Sequence, residues 1–102
     1  MTMVVVSGEF VIDAADREAG LAAAVRMARE TRKEVGCLSY AFYTGVEDPA
    51  HVRVFEEWES GEALERHFRT PHMAEFRAAL GRIKMVRGEV WRYEVADRAK
   101  LG

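Results

Sequence analysis

At 102 residues, 49% of them hydrophobic and 31% charged, the chain suits a single domain over positions 1–102 with its own core, and is too short for two. Fifteen basic and seventeen acidic residues give a net charge of −2 with no basic face or tail, which argues against a nucleic-acid partner. The lone cysteine, Cys37, excludes an internal disulfide and any cysteine-based metal cluster, and reads as a small buried hydrophobe.

The N-terminal MTMVVVSGEF has no basic start, and no stretch approaches the roughly 20 apolar residues of a membrane span. The expected setting is therefore the cytoplasm, with no membrane partner. Met3 to Ile12, rich in Val and Phe, predicts a first strand. Asp13 or Asp16 then supplies an N-cap, and Leu21, Val25, Ala28 and Arg32 recur at helical spacing in a helix ending near Val35 and Gly36. On that helix the interleaved charges Arg26, Arg29, Glu30, Arg32, Lys33 and Glu34 read as a solvated face.

Cys37 to Thr44 and His51 to Trp58 predict an antiparallel hairpin around the turn residues Gly45 to Pro49. Ser60 caps a second helix carrying Leu64, His67 and Phe68. Thr70-Pro71 starts the next segment, which carries Phe76, Ala79, Leu80 and Ile83, with Gly81 marking its weakening end. Val86 to Val95 is the last strand. The order β-α-β-β-α-β, with the second helix broken at Pro71, is that of a ferredoxin-like α+β domain with a four-stranded antiparallel sheet and helices on one face. Alternation leaves both sheet faces apolar, with Val5, Phe55, Trp91 and Tyr93 on the side away from the helices. A second copy packed sheet to sheet resolves this, so a homodimer is expected.

Chemical capacity gathers in the hairpin and the broken helix, as Tyr40, Phe42, Glu56, Trp58, His67, His72, Met73 and Phe76. Glu56 and Trp58 share a strand face, and if Leu64 and His67 turn toward the sheet, His67 sits over Trp58 near Glu56. That arrangement is an aromatic pocket with two titratable groups. The plainer alternative is a core histidine satisfied by Glu56. His72, just inside a helix start, either lines the pocket mouth or faces solvent. His67 and His72 lie five apart, about 140° around a continuous helix, so they share no metal ion unless the break at Pro71 re-aims them. No nucleotide, flavin or metal motif is present, and the expected cofactor set is empty.

The segments Gly36-Cys37-Leu38-Ser39-Tyr40, Val54-Phe55-Glu56-Glu57-Trp58-Glu59-Ser60 and Ala63-Leu64-Glu65-Arg66-His67-Phe68-Arg69-Thr70-Pro71-His72 resemble the antibiotic biosynthesis monooxygenase family, which includes small quinol monooxygenases. The resemblance runs over nearly the whole chain. It implies a dimeric α+β barrel, and it puts the residues matching Tyr40, Glu56, Trp58 and His67 on the pocket side. Haem-degrading members carry an Asn on the first strand and a later haem-ligating His. Here Val4-Val5-Val6-Ser7-Gly8 has no Asn and no His follows His72, which argues against haem.

The activity so implied is cofactor-independent oxygenation of a small electron-rich aromatic, a quinol or phenol. Ground-state O₂ reacts poorly with closed-shell molecules, so without metal or flavin the substrate must supply electrons as its anion. The protein then needs a base and a dry aromatic cavity. His67 is the expected base, Glu56 orients its ring, Trp58 stacks on substrate, and Tyr40, Phe42, His72 and Phe76 complete the lining. Two other readings use the same residues: a carrier or stress-response protein that holds a hydrophobic ligand, and an oxygen-independent isomerase of a small hydroxyketone.

Overall fold

Alternating valines pull the first strand, β1 (Met3–Ile12), against the helices, with Val4, Val6 and Ile12 turned inward. This strand opens a computed structural model that describes residues 2–102 of the chain. A short 3₁₀ turn leads into helix α1 (Arg17–Thr31), followed by β2 (Cys37–Thr44), β3 (His51–Trp58), α2 (Gly61–His67), α3 (Pro71–Leu80) and β4 (Met85–Val95). The four strands form one sheet in the order β2-β3-β1-β4, antiparallel at each pairing. This is the ferredoxin-like α+β architecture the element order predicts. No helix among the described residues is long and apolar enough to cross a membrane.

Helix starts follow the predicted chemistry. Ser60 Oγ accepts from Ala63 N at 3.2 Å, and Thr70 Oγ1 accepts from Met73 N at 3.3 Å with Pro71 in the first helical turn. Both aspartates after β1 are used. Asp13 caps the 3₁₀ turn through Ala15 N, while Asp16 accepts from Lys84 N at 2.8 Å and ties α1 to the segment before β4.

Two features of α1 differ from expectation. Its buried stripe is Gly20, Ala23, Ala24, Met27, Ala28 and Thr31, while Val25 is exposed. Small residues let the helix lie close to its neighbours, so branched side chains are displaced to the flank. The helix also stops at Thr31, not at Val35 or Gly36. Turn bonds from Lys33 N to Glu30 O, Glu34 N to Thr31 O and Cys37 N to Glu34 O carry the chain to Gly36. Gly36 has φ +91°, and a Cβ there would stand 2.5 Å from that of Ala63, so only glycine fits.

The core comprises Val4, Val6, Met27, Ala28, Tyr40, Val54, Trp58, Ala63 and Leu64, between the helices and one sheet face. On the other face Phe55 and Trp91 flank Ser7 across the sheet, with Tyr93 beside Val5. Phe55, Trp91 and Tyr93 are 37%, 58% and 52% exposed.

Candidate active site

The sheet supplies the floor of the site. Glu56 and Trp58 project from the inner face of β3, and Tyr40 lies across from Glu56 on β2. Trp58 Nε1–H donates to Glu56 Oε1 at 2.9 Å, and both side chains are buried. His67, at the end of α2, closes over them at 1% exposure, its ring centroid 4.7 Å from that of Trp58 and 5.7 Å from Tyr40. Rings continue outward from Tyr40 to Phe42 at 5.6 Å and on to Phe76 of α3 at 5.8 Å.

The carboxylate that holds His67 is Glu34, not Glu56. His67 Nδ1 lies 2.7 Å from Glu34 Oε2, whereas Glu56 is engaged by Trp58. Glu34 is also no part of a solvated helix face. Because α1 ends at Thr31, the following turn swings Glu34 inward, and Arg32 Nε pins that turn by donating to Tyr40 O at 2.9 Å.

The same Oε2 receives His72 Nε2 at 2.6 Å. Thr70 Oγ1 donates to His67 O at 2.8 Å across the break between α2 and α3, and α3 restarts at Pro71. Two imidazoles that a continuous helix would hold about 140° apart therefore converge on one carboxylate. The side chains of Glu34 and His72 retain 13% and 17% exposure. The sequence did carry a trace of Glu34, in that it lies two residues before Gly36, a turn signal ahead of β2.

A carboxylate only accepts hydrogen bonds, so the ring nitrogens facing it are N–H donors, His67 Nδ1–H and His72 Nε2–H. The other nitrogen of a neutral His67, Nε2, then bears a lone pair. It is buried and has no hydrogen-bond partner among the described residues. Burial holds the His67 pKa below the usual imidazole value, against the opposing pull of Glu34. Burial likewise pushes Glu56 up to about 7, with the Trp58 N–H working the other way and the Glu34 charge adding to the rise. The Tyr40 phenol is held well above its normal range by burial and then by Glu56. The Cys37 thiol is pushed up to about 11, mainly by burial, which keeps it protonated and poorly nucleophilic.

Open space lies beside this cluster. A groove of about 570 Å³ runs between α1 and α3, lined in part by Met27, His72 and Phe76. A small apolar hollow of about 20 Å³, bounded in part by Phe42, Phe76, Ala24 and Ile12, lies between helices and sheet. Tyr40, Glu56, Trp58 and His67 are thus gathered together, but as packed side chains; His72 and Phe76 are the predicted residues that reach the wide groove.

The molecule is thus a ferredoxin-like α+β domain carrying a buried imidazole held by a carboxylate. A family model described as antibiotic biosynthesis monooxygenase matches residues 3–79, and the chain belongs to that family. Among solved structures it is similar to Rv0793 from Mycobacterium tuberculosis, at 30% identity and TM-score 0.87, covering 96% of this chain and 99% of that one. A protein of Deinococcus radiodurans, described as a candidate antibiotic biosynthesis monooxygenase, shares the fold at TM-score 0.90 and 23% identity, over 97% and 98% of the two chains. An uncharacterized protein of Synechocystis sp. is 29% identical over 98 residues, which span 96% of this chain and 67% of that protein.

Proposed function

We propose that the chain is an oxidoreductase that oxygenates a small quinol or phenol with O₂, drawing its electrons from the substrate and using no bound cofactor. The observation that carries this reading is His67: buried, fixed through Nδ1 by Glu34, and left with a free Nε2. A neutral imidazole in that state is ready to take a phenolic proton near pH 7. Family membership supports the oxidative chemistry.

The reaction balances without a reductant. A quinol plus O₂ gives a hydroxyquinone plus water, one oxygen atom entering the ring and the other leaving as water, with all four electrons supplied by the substrate. On this reading the substrate displaces the rings packed over His67 as it enters from the groove, the Nε2 of His67 then removes the first proton, and Glu34, in the role expected of Glu56, fixes the tautomer. Glu56 instead orients the Trp58 indole that shares a face with it. The groove volume of about 570 Å³ suits a one- or two-ring substrate, with His72 and Phe76 on its wall and Tyr40 and Phe42 deeper in the ring series. The proposed setting is the cytoplasm.

A second copy of the chain is the proposed cover for the outer sheet face, where Phe55, Trp91 and Tyr93 lie exposed together.

The test is oxygen uptake on a panel of quinols and hydroxyketones, run with and without air. Oxygen-dependent turnover that falls roughly 10²- to 10⁴-fold in His67→Ala, with folding checked by circular dichroism, is the expected result. Undiminished uptake in that variant would remove His67 from its role. Turnover without oxygen would make the chain an isomerase, and saturable binding without turnover a carrier.

A further inference from the structure

The convergence of Glu34, His67 and His72 carries a second use. We propose that Glu34 Oε2, His67 Nδ1 and His72 Nε2 form a binding site for a divalent transition-metal cation such as Zn²⁺, Co²⁺ or Fe²⁺, with its remaining coordination positions open to the α1–α3 groove. This rests on the three donors and not on the oxygenase reading.

The three atoms come from three separate parts of the fold, the turn after α1, the end of α2 and the start of α3, and all lie within 4.8 Å of one another. Two imidazoles and one carboxylate form a donor set that suits these borderline cations. Metal–ligand bonds of about 2.0–2.2 Å place donors about 3.0–3.5 Å apart. The present separations of 2.7 and 2.6 Å are those of hydrogen bonds, so the carboxylate must retreat by about half an ångström and the two imidazoles settle at a similar spacing to admit the ion. Glu34 and His72 are both partly exposed, which gives that movement room.

The proton bookkeeping closes without loss. Each neutral imidazole moves its proton from the nitrogen facing Glu34 to its other nitrogen, and the cation takes the place of the two shared protons. His72 lines the groove, so an entry path exists. The groove walls carry Glu30 and Glu75 but also Arg26, Arg29 and Arg82, so affinity must come from the three donors and not from the groove's charge. His67 Nε2 has no protein acceptor among the described residues, and an acceptor for the outer N–H of a metal-bound imidazole is worth about 10- to 100-fold in affinity. Micromolar binding is therefore expected, not nanomolar.

The experiment titrates the metal-free chain with ZnCl₂ by calorimetry and with CoCl₂ by visible absorption, in the wild type, Glu34→Gln, His72→Ala and His51→Ala. The expected result is one ion per chain with cobalt ligand-field bands, weakened more than about tenfold in the Glu34 and His72 variants and unchanged in His51→Ala. Neither Glu34 nor His72 belongs to the core, and metal-free thermal melts establish that each variant is folded; His72→Gln replaces His72→Ala should that variant melt early. Absence of saturable one-to-one binding in the wild type overturns the proposal. So does equal affinity in His72→Ala, or loss of the ion in His51→Ala.

Discussion

His67 and Glu56 are both buried, yet burial moves their protons in opposite directions. The imidazole is kept neutral because its charged form is disfavoured, and the Glu56 carboxyl is kept protonated up to about pH 7 for the same reason. Linkage gives each a distinct signature. Glu56 titrates near 4.5 when unfolded and near 7 when folded, so the unfolded chain holds fewer protons between those values. Its contribution is therefore fully present below about pH 4.5 and is lost as pH rises toward 7. Glu56→Gln keeps an acceptor for Trp58 Nε1–H and removes the charge. Denaturant unfolding should find that variant more stable than wild type at pH 8, by up to about 3 kcal/mol, with the difference vanishing near pH 4. His67 acts in the other direction: its depressed pKa supports folding above pH 6.5, and that support is lost as pH falls.

At the scale of elements, the break between α2 and α3 does the positioning. Thr70 serves twice, capping α3 through Met73 N and bonding back to His67 O. Ser60 caps α2 alone. Replacing either by alanine should cost about 1 kcal/mol, seen as a fall of roughly 4–8 °C in melting temperature. The Thr70→Ala variant alone should also disturb the imidazole resonances of His67 and His72, as followed by NMR; equal histidine spectra in both variants would show that the break is held by other means. These caps, the four strands and the broken helix were legible in the sequence because each depends on local chemistry: β-branched runs, Ser and Thr before a helix, a proline at its first turn. The partner of His67 was not legible. Charge periodicity put Glu34 on an outer helical face, and only the early end of α1, with the Gly36 turn fitted against Ala63, brings it inside. Glu56 shares the buried face of β3 with Trp58 as expected, but pattern could not show which donor its oxygen would take.

For the whole molecule, the exposed sheet face makes a sharper prediction than the site does. If a second copy covers Phe55, Trp91 and Tyr93, sedimentation should give the mass of a dimer, and Trp91→Arg should shift it to monomer, a loss of about 2 kcal/mol or more per buried aromatic anchor. A wild-type monomer at micromolar concentration would contradict it. The order β2-β3-β1-β4 also leaves β4 at the rim of the sheet, with one row of its backbone N–H and C=O groups facing outward along Met85–Val95. Val86, Val90, Trp91 and Tyr93 stand exposed on that rim, interrupted by Arg87, Glu89, Arg92 and Glu94. Such a border is a template for further strands, and the alternating charges act as its gatekeepers. Neutralising them should leave the fold intact while making the chain polymerise on warming, edge upon edge.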